Sequence, residues 1–286
     1  MNAVASSLLS LIIVLILAIM TFKFRLLTET GTIAAIVVGV CLFVLPTDPY
    51  AGWIWFALLS VFFLSSSAVT KFRKALKEEV NQDFAKGGVR DLAQVIANGA
   101  VAVFLAALYR VYPDPMVFVS FVAVVAVSNA DTFATELGVL SKSKPFLITS
   151  FKKVENGVSG AVSILGTAAS VAGAAVVAVA AVLLISLPEL YASKMVFTAP
   201  GGLPLFFAVV VAAGVLGSLA DSLFGATVQV MYWCKRDKKE TERKIHKCGE
   251  KTLYYRGIKW IDNDVVNLLS TIVGGAIAAG LFYLLA

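Results

Sequence analysis

Eight long runs of apolar residues divide the 286-residue chain, at 4–22, 31–45, 51–69, 92–108, 116–130, 158–187, 203–230 and 265–285. A helix needs about 20 such residues to cross roughly 30 Å of hydrocarbon. Inside the bilayer it must satisfy its backbone groups internally, because no water reaches them. The runs are continuous rather than alternating with period two, which argues against outer-membrane strands. Only 15% of the residues are charged and 59% are apolar, whereas an ordinary soluble domain is about a quarter charged. One soluble core of this size could not hide so much apolar surface. A soluble enzyme, a disordered chain and a secreted disulfide scaffold are excluded. The expected fold is all-α: a polytopic membrane helix bundle of about eight transmembrane helices, forming one integral membrane domain over 1–286.

Charge placement gives an orientation. With the N-terminus outside, every lysine and arginine except Arg110 and Lys194 falls in an inward segment: 23–30, 70–91, 131–157 or 231–264. Such an excess marks cytoplasmic loops, and an odd number of spans would destroy it. Both termini are therefore expected outside, and 70–91, 131–157 and 231–264 are expected to be cytoplasmic loops. The first run is read as an anchor and not a cleavable signal, since no charge precedes it and Lys23 and Arg25 follow it. The net charge of +6 then marks topology, with added affinity for anionic lipid or phosphate, and no nucleic-acid partner is expected.

Two helices break the membrane rules. From Met116 to Ser128 the fifth run covers only about 20 Å at roughly 1.5 Å per residue. To span, it must continue to about residue 135, which brings Asp131 and Glu136 to the inner boundary. A charge near mid-membrane costs at least about 2.5 kcal/mol and calls for a partner, a cation or water. The alternative is that both acids merely begin a wet loop. Their five-residue spacing does not place both on one face of a regular helix, so a site using both needs a break or a broad polar groove. In the seventh run, Gly214, Gly217, Ser218, Asp221, Ser222, Gly225 and Gln229 form a small, polar face. Close packing accounts for the glycines but not for Asp221. Ser159, Ser163, Gly166, Ser170 and Gly173 form a similar stripe, and Gln94 with Asn98 and Asn263 with Asn267 each lie one turn apart.

The inward loops carry matching cations. Lys152, Lys153, Asn156, Gly157, Ser159 and Gly160 precede or open the sixth helix, whose free N–H groups could receive an anion. Gly87, Gly88 and Arg90 before the fourth helix are similar, although lysines beside a membrane often signal topology alone. Neither loop has the order of a Walker motif, and no Rossmann fingerprint is present. Three cysteines make no framework of pairs. Cys234, His246 and Cys248 have metal-ligating chemistry, but their spacing is irregular and a fourth ligand is missing, so zinc is not expected. The single histidine lies in this same loop, and no Ser-His-Asp set can be assembled. A weak repeat relates Ser128-Asn129-Ala130-Asp131-Thr132 to Ser218-Leu219-Ala220-Asp221-Ser222. Helices 5–6 and 7–8 are therefore read as parallel repeats about an axis along the membrane normal, with the two aspartates within about 8 Å and near enough to share a metal.

Several of these segments together resemble a known family. Gly87-Gly88-x-Arg90 is followed by Gln94-Val95-x-Ala97-Asn98-Gly99 and Asp131-Thr132-x-Ala134-x-Glu136-Leu137-Gly138. Lys153-Val154-x-Asn156-Gly157-x-x-Gly160, Gly217-Ser218-x-x-Asp221-Ser222-x-x-Gly225-Ala226 and Asp262-Asn263-x-x-Val266-Asn267 complete the set. In this order they resemble the integral membrane family once filed as domain of unknown function 92, which includes the transmembrane-protein-19 proteins and the plant phytyl-phosphate kinase. The resemblance covers roughly residues 26–286.

What the resemblance implies is phosphoryl transfer at a membrane surface. The expected enzyme is a nucleotide-dependent kinase, with CTP the expected donor, converting an isoprenyl or phytyl lipid monophosphate to its diphosphate. Mg²⁺ is the expected cofactor, held by Asp131, Glu136 and Asp221 as catalytic and metal-binding acids, since hard cations prefer oxygen ligands. Arg90, Lys152, Lys153, Asn156, Gly157, Gly160, Asn263 and Asn267 are the expected phosphate-binding residues. Gln94, Asn98, Ser218 and Ser222 supply polar support. The expected partners are the bilayer, the isoprenoid phosphate, and CTP or another nucleoside triphosphate. The expected location is a prokaryotic cell membrane with the site facing the cytoplasm. A transporter or flippase and a CTP-dependent cytidylyltransferase of a lipid phosphate are the alternatives.

Overall fold

The computed structural model describes residues 3–46, 49–72, 88–186 and 201–286. Gly87, Lys194, residues 47–48 and most of the 70–91 segment lie outside the described residues. Within them stand eight long helices: α1 (Ala3–Lys23), α2 (Glu29–Val44), α3 (Pro49–Lys71), α4 (Leu92–Val111), α5 (Pro115–Gly138), α6 (Ile164–Ile185), α7 (Gly202–Thr227) and α8 (Asn263–Leu285). Six, α3 to α8, are long and apolar enough to cross a membrane, while α2 and the stretch Ile12–Lys23 are shorter apolar helices.

The helix starts are written in local chemistry. Thr28, Asp91, Asp114, Ser163 and Asp262 each cap a helix by accepting a backbone N–H with the side chain. This satisfies donors that otherwise have no partner at a helix N-terminus. At α4 the cap is reciprocal, because Gln94 also accepts from the Asp91 N–H, and α5 opens with Pro115, where a missing N–H costs nothing.

α5 sits in the middle. It is buried without interruption from Val117 to Ala130, as expected of a helix that is apolar all round, and α3, α4, α6, α7 and α8 pack around it. Small residues set the spacing. A Cβ added at Gly217 of α7 or Gly274 of α8 would stand 2.3 or 2.2 Å from Val127 Cγ2 of α5, so these backbones approach only because the side chains are missing. Near the N-terminal end of α5, Trp55, Tyr109, Phe118, Phe121 and Phe206 form an aromatic cluster, with the Trp55 and Phe121 rings 4.0 Å apart. The bundle is thus aromatic at one end and polar at the other.

Three segments depart from the sequence expectation. The 158–187 run does not begin as a helix. Gly157 and Gly160 have φ of 88° and 82°, which turns the chain away from a right-handed helix, and α6 starts only after the Ser163 cap. Residues 146–162 instead bring β1 (Phe146–Leu147) against β2 (Ala161–Val162), antiparallel, with Phe146 opposite Val162. α5 continues regularly to Gly138, so the connection to α6 begins after it and not at 131. The 231–264 segment is not a plain loop. It contains a three-stranded antiparallel sheet in the order β4-β3-β5, from β3 (Met231–Cys234), β4 (Lys239–Thr241) and β5 (Leu253–Arg256). Arg256 anchors this sheet to α7, donating from Nη1 to the Gly225 and Ala226 carbonyls at 3.0 and 2.9 Å, a favourable place for a cation at a helix C-terminus.

Candidate functional site

The C-terminal ends of α5 and α7 and the N-terminal ends of α4, α6 and α8 enclose a polar cavity of about 310 Å³. Asp131, Glu136 and Asp221 line it, with Arg90, Gln94, Asn98, Asn156, Gly157, Gly160, Ser218, Ser222, Asn263 and Asn267. Lys152 and Lys153 do not. Both are exposed in the connection between β1 and β2, where Lys153 forms a backbone bridge with Phe146. The sixth helix also begins later than expected, after Ser163, whose Oγ accepts from the Gly166 N–H at 3.0 Å and so takes up one of its free donors. Gly160 is required for packing: at its φ of 82° a Cβ would lie 2.4 Å from Ala226 Cβ.

The two aspartates come from different helices and line the same cavity. Ser218 of α7 donates toward Asp131 Oδ1 of α5 at 3.5 Å. The two resembling segments also bond alike, since Thr132 donates to the Ser128 carbonyl at 2.9 Å and Ser222 to the Ser218 carbonyl at 3.4 Å. Their following segments differ, because Asn263 opens α8 while Asn156 precedes α6 in the β1–β2 connection. Asp221 Oδ2 is buried with no hydrogen-bond partner among the described residues. A buried carboxylate oxygen left in this state is costly. With Asp131 nearby it forms an oxygen-donor set of the kind a hard divalent cation takes.

Arg90 supplies the opposite sign. Its Nη2 donates to Ser66 at 2.7 Å, and its guanidinium lies over Phe62 and Phe63, 5.1 and 5.3 Å from the ring centroids. Its Nη1 is buried without a hydrogen-bond partner among the described residues. Burial pushes its pKa down to about 10, against the pull of the Glu136 carboxylate, so it remains a cation at neutral pH. A second, apolar cavity of about 100 Å³ between α1, α2, α3 and α4 shares Arg90, Gln94 and Asn98 with the polar one.

Sequence reasoning missed Glu242. It lines the cavity and accepts from Gln229 Nε2 at 2.8 Å, while Gln229 Oε1 accepts from Ser159 at 3.0 Å. Glu242 follows β4 within a lysine-rich stretch that reads as solvated surface, and only the sheet carries it back to the helix ends.

The sequence profile of Integral membrane protein DUF92 matches residues 12–275. The chain belongs to the DUF92 family of integral membrane proteins. It is 31% identical to an uncharacterized membrane protein of Methanocaldococcus jannaschii over 94% of this chain and 91% of the relative. It is also 31% identical to Protein PGR of Arabidopsis thaliana, over 92% of each. Protein VTE6, chloroplastic, of the same plant is 27% identical over 88% of this chain and 64% of the relative. No solved structure matches. In this DUF92 protein the segments that carry the family resemblance meet around one cavity, with Lys153 of the fourth segment outside it.

Proposed function

We propose that this DUF92 protein is a membrane-embedded phosphotransferase that uses a nucleoside triphosphate, CTP in the first instance, to convert an isoprenyl- or phytyl-type lipid monophosphate to its diphosphate. One observation carries the reading. A single cavity holds a buried carboxylate oxygen of Asp221 and a buried nitrogen of Arg90, both without a hydrogen-bond partner among the described residues, and through Arg90 it adjoins an apolar cavity. A lipid phosphate has the complementary form, an apolar tail joined to an anionic head.

Phosphoryl transfer depends on positioning and on neutralising phosphate charge, with little covalent work for the protein. Arg90 Nη1 would donate to a phosphate oxygen, and Phe62, Phe63 and Ser66 hold the guanidinium in place for it. Asp131 and Asp221 would hold Mg²⁺, which when bound offsets the charge of the phosphates. The acceptor phosphate oxygen forms a bond to the γ-phosphorus as the bond to the β–γ bridging oxygen breaks, and the nucleoside diphosphate leaves. The acceptor is already largely ionised at neutral pH, so no strong general base is needed. The chain's one histidine lies in the connection between β4 and β5 and not among the cavity-lining residues.

The test is product analysis with purified protein, labelled CTP, Mg²⁺ and a panel of isoprenyl monophosphates. A lipid diphosphate with CDP supports the proposal. A nucleotidyl lipid with pyrophosphate would make the protein a cytidylyltransferase, and no product would leave transport. Asp131→Asn and Asp221→Asn should each abolish transfer without disturbing the elution profile of the folded protein.

A further inference from the structure

The β3–β4–β5 sheet holds a side-chain cluster that the phosphotransfer reading does not use. Cys234, Asp237, His246 and Cys248 each offer one ligand atom, and these atoms all lie within 4.8 Å of one another. The fourth ligand missing from the sequence pattern is Asp237, three residues after Cys234. It is supplied by the turn between β3 and β4, where Cys234 pairs with Lys239 and Lys238 takes a φ of 50°. His246 and Cys248 come from a second turn, closed by the His246 N–H to the Glu250 carbonyl and the Gly249 N–H to the His246 carbonyl. Two short chelating pairs from two turns are the usual build of a structural zinc site.

The spacing agrees with a tetrahedron. Bonds of about 2.3 Å to sulfur and about 2.0–2.1 Å to nitrogen or oxygen put ligand pairs about 3.8 Å apart for S–S, about 3.6 Å for S–N and about 3.4 Å for N–O. Here Cys234 Sγ and Cys248 Sγ are 3.6 Å apart, His246 Nδ1 is 3.3 Å from Cys248 Sγ, and His246 Nδ1 is 3.2 Å from Asp237 Oδ2. Each of these three pairs lies slightly inside its expected edge, and the other three are within 4.8 Å. Cys234 and His246 are fully or almost fully buried, and both thiols are free. The Asp237 N–H donates to Cys234 Sγ at 3.4 Å, an outer hydrogen bond that favours a thiolate ligand. Two thiolates and a carboxylate around Zn²⁺ leave one net negative charge. Lys235, Arg236, Lys238 and Lys247 flank it in sequence, and Arg236 donates to the Cys248 carbonyl at 3.4 Å.

We propose that Cys234, Asp237, His246 and Cys248 bind one Zn²⁺ ion that ties the β3–β4 turn to the β4–β5 connection. The mixed sulfur, imidazole and carboxylate set selects zinc over magnesium, which takes oxygen ligands. Four protein ligands leave no open position for chemistry, so the site is structural. Its consequence is positional: it closes the sheet that carries Glu242 to the cavity. None of this depends on the phosphotransfer reading.

The test is metal analysis of the full-length protein, purified in detergent without chelator from zinc-supplemented cells. One zinc per chain is expected, falling to background in Cys234→Ser and Cys248→Ser and retained in Asp237→His. The unsubstituted protein loaded with Co²⁺ should show thiolate-to-cobalt charge-transfer bands and the intense visible absorption of a tetrahedral site. That measurement decides the matter even where a cysteine variant does not fold. Zinc absent from the unsubstituted protein, zinc unaffected by both serine variants, an octahedral cobalt spectrum, or a Cys234–Cys248 disulfide in protein kept under reductant would each overturn the proposal.

Discussion

Replacing Gly217 with alanine should push α7 away from α5 and disturb both aspartates at once. The new Cβ would lie 2.3 Å from Val127 Cγ2 and 2.9 Å from Val127 Cγ1, whereas apolar carbons rest at about 3.5 Å or more. Relieving the contact takes about 1.2 Å of movement, and little of it can come from a valine that Gly274 of α8 also crowds. Overpacking of this kind costs about 1–3 kcal/mol. Val127 lies one turn before Asp131 and Gly217 one turn before Asp221, so the displacement reaches the cavity. A misplacement of about 1 Å can lower a reaction rate by about 10²-fold. The assays are thermal unfolding in detergent and transfer activity, read for Gly217→Ala, Val127→Ala and the double variant. Val127→Ala removes the atoms in collision, so the double variant should be more stable than the summed single effects allow, by at least about 0.5 kcal/mol. Additive effects, or a Gly217→Ala protein as stable and active as the parent, would refute the claim that this contact sets the helix spacing.

Arg90→Ala should weaken phosphate binding far more than Lys153→Ala, since Arg90 lines the cavity and Lys153 does not; equal losses in KM would place the exposed lysines on the phosphate path. Arg90→Lys should recover binding only in part, because a point charge cannot replace a planar fork stacked on two aromatic rings, and full recovery would count against that geometry. Glu242→Gln, measured by Mg²⁺ titration of activity, should change the metal dependence less than Asp221→Asn, because the Glu242 carboxylate already accepts from Gln229; the reverse order would make Glu242 the principal metal ligand. Single-cysteine labels at Ser143 and Glu250 should react from one side of the membrane, the cytoplasmic side by the charge distribution, and a label at Tyr112 from the other. A shared side for all three would break the alternation of the spans.

Periodicity and local chemistry made the helices legible. Apolar runs long enough to span marked them, while the caps at Asp91, Asp114 and Asp262 that fix three of their starts were found in the structure. Asp131 and Asp221 stood out for an equally local reason: an acid inside an apolar helix is conspicuous wherever the rest of the chain lies. What needed tertiary structure was convergence. Nothing in the order of residues says that α5 occupies the centre, that Val127 meets Gly217 and Gly274, or that Ser218 reaches across to Asp131. Gly157 and Gly160 were legible as residues, but only the structure shows that both take a positive φ and that Gly160 packs against Ala226 instead of opening a helix. The lysine-rich stretch hid the most. Its charge reads as solvated surface, and its period-two signal is too short to declare strands. Only the strand pairing brings Glu242 to the cavity and Asp237 to Cys234, His246 and Cys248. Helices follow from interactions over a few residues, whereas a site depends on distances between residues remote in sequence, and packing alone sets those.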